Sequence, residues 1–215
     1  MQWFGCLALS NIYYGTDAAA DVRKQAAADA SALASIVGDM RAHASSERVQ
    51  RYGCLALGNI CYGTDAAADV RKQAAVDLDA FASVLGGMRA QSSEGVQWFG
   101  CLALGNICDG TDAAANARKQ AAADAGALAS VLGGMRAHAS SEGVQEDGCC
   151  ALGNICDGTD EAADVRKQAA ADADAFASIV GGMRAHALSE GVQEDGCCAL
   201  SNICYMIVVV TVDTA

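Results

Sequence analysis

Apolar residues recur along this chain with the period of an α-helix. Phe176, Ile179, Val180 and Met183 lie at positions i, i+3, i+4 and i+7, so they fall on one face of a helix. The same places in two other stretches hold Leu33, Ile36, Val37 and Met40, and Leu128, Val131, Leu132 and Met135. The pattern therefore predicts an amphipathic helix that occurs several times in the sequence.

Two further helices accompany this one. One carries Val144, Gly148, Leu152 and Ile155 as an apolar stripe, in which Gly148 is small enough to let a neighbouring helix approach closely. The other, over 162–173, is rich in alanine and has a weaker stripe, so we expect it to be short or to depend on its neighbours. Each unit of the chain is thus predicted to hold three helices.

Glycine and small polar residues mark the predicted helix ends. Gly110 and Gly158 stand where a helix needs a left-handed residue, and the Thr-Asp pair after each one supplies an N-cap for the next helix. The segment 140–142, Ser-Ser-Glu, caps the helix that follows it. The paired glycines Gly133 and Gly134 lie inside or at the end of a helix, and the sequence leaves open whether they permit tight packing or soften the domain.

The three helices belong to a unit that repeats every 47 or 48 residues. The string Val-Gln-x-x-Gly-Cys-x-Ala-Leu-(Gly/Ser)-Asn-Ile begins at Val49, Val96, Val144 and Val192, with a matching copy from Gln2 to Ile12. We therefore predict a lone third helix at 1–13, four repeats at 14–61, 62–108, 109–156 and 157–204, and an apolar non-repeat tail at 205–215.

The repeat resembles that of the armadillo family. It shares three helices per unit, the Ala-Leu-(Gly/Ser)-Asn-Ile core of the third helix, and a glycine between the first two helices at Gly126. Armadillo repeats are usually a few residues shorter, and the other copies here replace that glycine with Ser31, Asp79 and Asp174. The resemblance, which covers residues 1 to about 204, implies an all-α fold: a right-handed α-solenoid of three-helix armadillo-type repeats (an α-α superhelix), with the third helices lining the concave face.

Composition and charge support helices and narrow the choice of partner. The chain has 53% hydrophobic residues, only 5% aromatic residues and no proline, which favours alanine-based helices over strands. Its formal net charge of -12 repels nucleic acid phosphates and anionic lipids. We therefore expect a basic protein or peptide as partner, and neither nucleic acid nor membrane.

One asparagine per copy is the first candidate for ligand binding. In armadillo proteins an asparagine on each third helix bonds the backbone of an extended peptide, because an amide can both donate and accept. A structural role, in which the amide bonds a backbone group of the next loop, is the alternative, and the two roles can coexist. The matching residues are Asn11, Asn59, Asn106, Asn154 and Asn202.

The row seven residues before the asparagine predicts the chemistry of the partner. It holds Phe4, Tyr52, Phe99, Asp147 and Asp195, with Trp3, Arg51, Trp98, Glu146 and Glu194 beside it. The groove is therefore aromatic in its N-terminal half and acidic in its C-terminal half, which suits an extended segment with bulky or cationic groups. Nuclear-import adaptors of the family carry a tryptophan four residues before the asparagine. In this chain the same place holds Leu7, Leu55, Leu102, Cys150 and Cys198. The absence of tryptophan argues against a nuclear-localisation signal as the ligand.

The cysteines, the histidines and the Arg-Lys pairs are expected to have structural roles rather than to bind metal or catalyse a reaction. The eleven cysteines include no CxxC pair, so we expect them to pack as small buried hydrophobes. His43, His138 and His186 end the middle helix, where a cation complements the helix dipole. The Arg-Lys pairs, such as 71–72, are expected to be solvated or to pack on acids of a neighbouring repeat. The sequence gives no sign of an enzyme, a cofactor or a metal site.

The sequence as a whole predicts a protein-interaction scaffold that holds an extended, basic partner segment along the third-helix groove. Two alternatives stay open: a structural solenoid fragment that self-associates end to end, and a cysteine-based metal or redox protein. No charged segment followed by an apolar run begins the chain, and the apolar stretch 206–212 is far shorter than the ~20 residues that span a bilayer. We therefore expect an intracellular protein, cytoplasmic or nuclear or both, with reduced thiols.

Overall fold

The computed structural model describes residues 18–29 and 31–205, and its regular structure in these ranges is entirely helical. None of the helices there is long and apolar enough to cross a membrane. The predicted lone helix at 1–13, with Asn11, lies outside the described residues, as does the tail from 206 onward. The helices are α1 (Ala18–Asp29), α2 (Ala32–Ala42), α3 (Glu47–Cys61), α4 (Ala66–Asp77), α5 (Ala80–Ala90), α6 (Glu94–Cys108), α7 (Ala113–Asp124), α8 (Ala127–Ala137), α9 (Glu142–Cys156), α10 (Glu161–Asp172), α11 (Ala175–Ala185) and α12 (Glu190–Cys204).

Helix lengths recur in the order 12, 11 and 15 residues. We call the 12-residue helices A helices (α1, α4, α7, α10), the 11-residue helices B helices (α2, α5, α8, α11) and the 15-residue helices C helices (α3, α6, α9, α12). Each helix packs against its equivalents in the neighbouring triplets, and the C helices pack against one another most extensively. The chain is a helical solenoid in which each A-B-C triplet forms one layer.

Capping residues begin the helices where the sequence predicts them. Asp112 is the N-cap of α7, and its carboxylate accepts a hydrogen bond from the Ala115 N–H at 2.7 Å, so the aspartate of the Thr-Asp pair is the capping residue. Ser141 caps α9 by accepting from the Val144 N–H at 3.4 Å. Gly110 has a φ of +129°, which confirms the predicted need for glycine after a C helix.

The turn between A and B helices also requires a positive φ. Gly126 has a φ of +87°, and the residues that replace it in the other layers adopt the same region: +61° at Ser31, +58° at Asp79 and +62° at Asp174. Aspartate is among the few non-glycine residues that tolerate this conformation. The turn is therefore kept in every described layer, although only one layer has the glycine that armadillo repeats carry between their first two helices.

The predicted apolar stripes form the core. Val131, Leu132 and Met135 of α8 are buried, as are their counterparts in α2 and α5. Gly148 of α9 lies beneath the Met135 side chain. A Cβ added to this glycine would come 2.7 Å from Met135 Cγ, so only glycine fits without a shift of the methionine. The close approach predicted at this glycine is confirmed, and it serves packing between the B and C helices of one layer.

The paired glycines of the B helices have different surroundings. A Cβ added to Gly133 would meet nothing within 4 Å, whereas one added to Gly134 would lie 2.8 Å from Gln97 Oε1. That glutamine is buried, and its Nε2 donates to the carbonyls of Met88 at 2.7 Å and Gln91 at 2.8 Å. The second glycine of the pair thus permits tight packing, and the first has no packing role.

We expect Gly133→Ala to raise the free energy of unfolding by up to ~1 kcal/mol, because alanine is the better helix former and the added methyl reaches open space. Gly134→Ala should lower it by about 1–2 kcal/mol, since the methyl displaces the Gln97 amide from two carbonyls. Urea unfolding followed by circular dichroism measures both changes. Shifts of the same sign for these neighbours would contradict the packing described.

The Arg-Lys pairs of α4, α7 and α10 are buried, so of the two placements that the sequence left open, in solvent or on acids of a neighbouring repeat, the first is wrong for them. Arg118 is 1% exposed, and its guanidinium donates to Ile107 O at 3.0 Å and Asp109 O at 3.3 Å, which caps the C helix of the preceding layer. It also pairs with Asp69 of that layer at 3.0 Å. The expected packing on acids of a neighbouring repeat is thus confirmed for Arg118, with backbone carbonyls as additional partners.

Candidate binding surface

Beyond their first turn, the C helices α3, α6 and α9 expose a single stripe. In α3 the residues that keep solvent contact are Arg51, Tyr52, Leu55 and Asn59, and every other residue from 49 to 61 is buried. The same four places remain accessible in α6 and α9. We call these places, with their counterparts in α12, the C-helix stripe: 51, 52, 55, 59, 98, 99, 102, 106, 146, 147, 150, 154, 194, 195, 198 and 202.

The structure brings the sequence-predicted residues together on this stripe. The period of the helix accounts for this, since places i, i+1, i+4 and i+8 share one side of a helix. Asn11 lies outside the described residues, as do Trp3 and Phe4 of the aromatic row. On the stripe lie Asn59, Asn106, Asn154, Asn202, Tyr52, Trp98, Phe99, Glu146, Asp147, Glu194 and Asp195.

The asparagine amides link successive C helices. Asn106 Nδ2 donates to Gly58 O at 3.0 Å, and Asn154 Nδ2 donates to Gly105 O at 3.1 Å. Asn202 makes the equivalent bond to Gly153 O at 3.1 Å. The asparagines therefore have the structural role given above as the alternative to ligand binding. Their backbone partner lies in the neighbouring C helix and not in the next loop. Each amide still has a second N–H and a carbonyl oxygen, so the bond does not preclude contact with a ligand.

The aromatic half of the stripe already holds one guanidinium. The Arg51 side chain lies over the rings of Tyr52 and Phe99, with 5.5 Å from Cζ to each ring centroid. Phe99 stacks on Trp98 with 4.9 Å between ring centroids. These are cation–π contacts of about 0.5–2 kcal/mol each, and they show which kind of group this surface accommodates.

Trp98 joins the aromatic half to the acidic half. Its indole Nε1 donates to Asp147 Oδ2 at 2.6 Å across the boundary between α6 and α9. The indole ring lies across Gly143, where a Cβ would not fit. Trp98 nevertheless remains 37% exposed, so the ring face is available to a partner.

In the acidic half, no lysine or arginine among the residues that the structure describes influences the carboxyl groups of Asp147 and Asp195. Burial raises the pKa of Asp147 to about 7; the hydrogen bond from Trp98 opposes this rise, and the charges of Glu146 and Asp195 add to it. Burial, Glu146 and Glu194 raise the pKa of Asp195 to about 6. A lysine or arginine placed here would favour the charged carboxylates and lower both pKa values.

A cavity of about 530 Å³ opens beside the stripe. Asn106, Cys150 and Asn154 of the stripe line it, together with Tyr62 and Asp109, which follow the C helices. Sequence reasoning missed Tyr62 and Asp109 because they lie just beyond the repeated string. The sequence does contain one sign of them, because Tyr62 and Asp109 occupy the same place directly after α3 and α6.

Six of the described cysteines pack as buried hydrophobic residues, as predicted, whereas the prediction is wrong for Cys197, Cys198 and Cys204, which are exposed. Cys54, Cys101 and Cys149 are fully buried, and burial raises the pKa of Cys61 and Cys108 to about 12, which disfavours the thiolate. Among the residues that the structure describes, no group of three or more histidine, cysteine or acidic side chains could hold a metal ion.

The histidines connect layers. His138 Nε2 lies 2.9 Å from Ser92 O, and His186 Nε2 lies 2.9 Å from Ala139 O, so each ring reaches the loop between B and C helices of the preceding layer. Gln91 makes a longer contact of the same kind, 3.4 Å from its Nε2 to Ala44 O. An amide can therefore replace the imidazole at this place.

Comparison with known proteins supports the fold alone. No protein-family model matches the sequence, and no curated protein matches it. The structure is similar to the crystal structure of an engineered protein from the Northeast Structural Genomics Consortium, with a TM-score of 0.73 and 25% sequence identity. The match covers 94% of this chain and 44% of the engineered protein, so this chain spans less than half of that protein's length.

Proposed function

We propose that this chain is a protein-interaction scaffold that binds an extended, basic segment of a partner along the C-helix stripe. The repeats are of the armadillo type, the superhelix is right-handed, and the C helices line its concave face. The observation that carries the proposal is the stripe itself: it is the one accessible side of α3, α6 and α9 beyond the first turn, and it combines asparagines with aromatic and acidic side chains.

The spacing of the layers suits an extended chain. Packed helices lie about 8–10 Å apart, and an extended chain rises about 3.4 Å per residue, so each layer addresses two or three residues of a bound segment. The second N–H and the Oδ1 of amides such as Asn106 and Asn202 can bond the segment's backbone without regard to its side chains. Such bonds set the register of the segment on the stripe.

Charge determines which segment binds. A backbone hydrogen bond contributes only about 0.5–1.5 kcal/mol net, so side-chain contacts must supply most of the affinity. Burial and the charges of neighbouring carboxylates raise the pKa values of Asp147 and Asp195, and no lysine or arginine among the described residues contributes to either shift. The chain's net charge of -12 adds long-range attraction for a basic partner.

Fluorescence anisotropy with labelled peptides of about ten residues tests this proposal, since four layers address about that length. We expect an alternating lysine–alanine peptide to bind, with an affinity that falls as salt rises. An alternating glutamate–alanine peptide should not bind. The double variant Asp147→Asn and Asp195→Asn should weaken binding of the basic peptide about threefold to tenfold, because it removes charge and keeps shape.

The matched control carries the same change of charge away from the stripe. Asp124 and Asp172 end A helices, are exposed, and each accepts a hydrogen bond from a glutamine at 2.8 Å. The double variant Asp124→Asn and Asp172→Asn should leave the affinity for the basic peptide unchanged. Equal losses in the two double variants would show that binding depends on net charge alone, and the stripe would lose its assigned role.

The proposal also covers catalysis, cellular location and the redox state of the thiols. We propose that the chain is not an enzyme, that it works inside the cell in the cytoplasm or nucleus or both, and that its thiols are reduced. Raised thiol pKa values disfavour the cysteine-based metal or redox alternative, and thiol titration of the full chain tests it.

A further inference from the structure

Arg51 is the one cation on the C-helix stripe, and its guanidinium has no anion beside it. Its Nε atom is shielded from solvent and makes no hydrogen bond. None of the ion pairs among the residues that the structure describes includes Arg51. Its guanidinium lies over the rings of Tyr52 and Phe99, with 5.5 Å from Cζ to each centroid. The stripe therefore holds a positive charge without a carboxylate to balance it.

Two other arginines show what a guanidinium of this chain usually contacts. The buried Arg118 pairs with Asp69 at 3.0 Å, and the exposed Arg41 pairs with Asp79 at 3.2 Å. A guanidinium has five N–H donors, and a ring face attracts its charge but offers no lone pair to those donors. Arg51 therefore has unused donors on the surface where we propose that a partner segment lies.

The position of Arg51 at the start of α6 is unfavourable for an isolated cation. A Cβ added to Gly95, in the first turn of α6, would lie 2.8 Å from Arg51 Nε, so the side chain passes directly over that turn. A helix N-terminus carries partial positive charge, which repels a cation and attracts an anion. Two layers on, the same place holds Glu146, whose carboxyl carbon would lie 2.6 Å from a Cβ added to Gly191 in the first turn of α12. The carboxylate complements its helix end, whereas the guanidinium does not.

The contacts of Arg51 indicate how far it lies from the acidic half of the stripe. Phe99, which the guanidinium covers, stacks on Trp98 with 4.9 Å between centroids, and Trp98 Nε1 bonds Asp147 at 2.6 Å. Arg51 thus lies at the boundary between α3 and α6, and Asp147 at the boundary between α6 and α9. Packed helices lie about 8–10 Å apart, so about three residues of an extended chain separate these two places, and about six separate Arg51 from Asp195.

We propose that the partner segment carries an aspartate or glutamate side chain that pairs with Arg51, and that this acid lies at the opposite end of the segment from the lysines or arginines that face Asp147 and Asp195. The inference rests on the proposed function, since it takes the segment to be extended along the stripe and basic in most of its charges. It adds the property that the stripe selects, which is the separation of acidic and basic residues along the segment.

A carboxylate suits Arg51 because the two groups can form parallel hydrogen bonds, and such charge-assisted bonds are about twice as strong as neutral ones. The rings of Tyr52 and Phe99 beneath the guanidinium hold it in place, which limits the side-chain freedom that is lost on pairing. Arg51 remains partly exposed, so we expect the pair to change the affinity about threefold to fivefold rather than more.

Three peptides of identical composition and net charge test the pairing on the unchanged chain. All have blocked ends and serine at the places marked x: Glu-x-x-Lys-x-x-Lys, the reverse order Lys-x-x-Lys-x-x-Glu, and Lys-x-x-Glu-x-x-Lys. The direction of the bound segment decides which of the two end-acid peptides fits. By fluorescence anisotropy we expect that one to bind at least about threefold more tightly than the peptide with the central acid. Equal affinities of all three would overturn the inference.

Arg51→Gln removes the charge and keeps a polar side chain beside the rings. The preferred end-acid peptide should then bind no more tightly than the peptide with the central acid, whereas the alternating lysine–alanine peptide should keep or gain affinity, because a like charge has been removed. Arg89→Gln is the matched control, since it removes one exposed positive charge from α5, away from the stripe. It should leave all of these affinities unchanged. Circular dichroism establishes that both variants are folded.

The outcomes distinguish this inference from the proposed function. If the lysine–alanine peptide binds and depends on Asp147 and Asp195, but position of the acid has no effect, the inference alone fails. An equal loss for every peptide in Arg51→Gln would show that the arginine only supports the fold, and it would also overturn the inference. If the lysine–alanine peptide does not bind at all, the proposed function fails and the inference fails with it.

Discussion

Replacement of Arg118 by alanine is expected to lower the free energy of unfolding by about 2–4 kcal/mol, because the buried guanidinium bonds two carbonyls and pairs with the partly exposed Asp69. The guanidinium caps α6 through Ile107 O and Asp109 O and pairs with Asp69. Its loss removes the donor to Ile107 O, whereas Lys72 Nζ still lies 3.0 Å from Asp109 O and 4.0 Å from Asp69 Oδ1. Alanine would also leave a cavity between the layers. Urea unfolding followed by circular dichroism measures the change.

The matched control is Arg89→Ala. Arg89 is exposed and makes one bond, to Ala125 O at 2.9 Å, so its removal should cost no more than about 1 kcal/mol. Arg118→Lys should fall between the two, because the charge is kept and the planar donor fork is lost. A loss in Arg118→Ala as small as that in Arg89→Ala would contradict the capping role of the buried arginine.

The second large effect concerns pH. The pKa of Asp147 is raised from 3.8 to about 7, so the folded chain binds this proton more tightly than the unfolded chain does. Stability is therefore expected to rise as pH falls from 8 through 7 toward 4, and to be lower above pH 7, where the folded carboxyl is charged. Asp195, with its pKa raised to about 6, acts in the same direction at lower pH.

Asp147→Asn should remove most of this dependence. At pH 8 the variant is expected to be more stable than the parent by about 1–2 kcal/mol, a value reduced from the full shift because Asp147 is only partly buried and solvent screens its charge. At pH 4 the two proteins should have equal stability, because the parent carboxyl is then largely neutral when folded. Thermal unfolding at both pH values measures the difference, and a variant less stable than the parent at pH 8 would refute the interpretation.

The helical solenoid could be predicted because its signals are local. The i, i+3, i+4 and i+7 spacing placed Leu128, Val131, Leu132 and Met135 on one face, and the structure buries all four. The aspartate and serine N-caps depend only on the residues that follow them. The armadillo type and the right-handed superhelix stay predictions, since the similar engineered structure supports only a helical repeat.

Contacts between layers could not be predicted in the same way. Arg118 was expected in solvent or on neighbouring acids because arginine is seldom fully buried, and the carbonyls that it caps have no side-chain signature. The bond from Asn106 to Gly58 joins residues 48 apart and exists only because the helices pack closely at a glycine. The two glycines 133 and 134 look alike in sequence, and only the position of Gln97 distinguishes them.

The positions of the C-helix stripe were easier to predict than its internal contacts. The sequence placed the asparagine, aromatic and acidic residues on one helical side, and the structure places the described ones there. It did not indicate that Trp98 donates to Asp147, or that Arg51 lies over Tyr52 and Phe99. These contacts depend on the distance between layers, which the sequence of one layer does not contain.

Fluorescence of Trp98 tests the central claim most directly, because this indole lies on the C-helix stripe and bonds Asp147. Trp3 and Trp98 are the two tryptophans of the chain, so Trp3→Phe leaves Trp98 as the single reporter. Titration with the alternating lysine–alanine peptide should give a saturable change in Trp98 emission, with the dissociation constant found by anisotropy, and high salt should abolish it. Binding detected by anisotropy with no change in Trp98 emission would place the partner elsewhere and contradict the account.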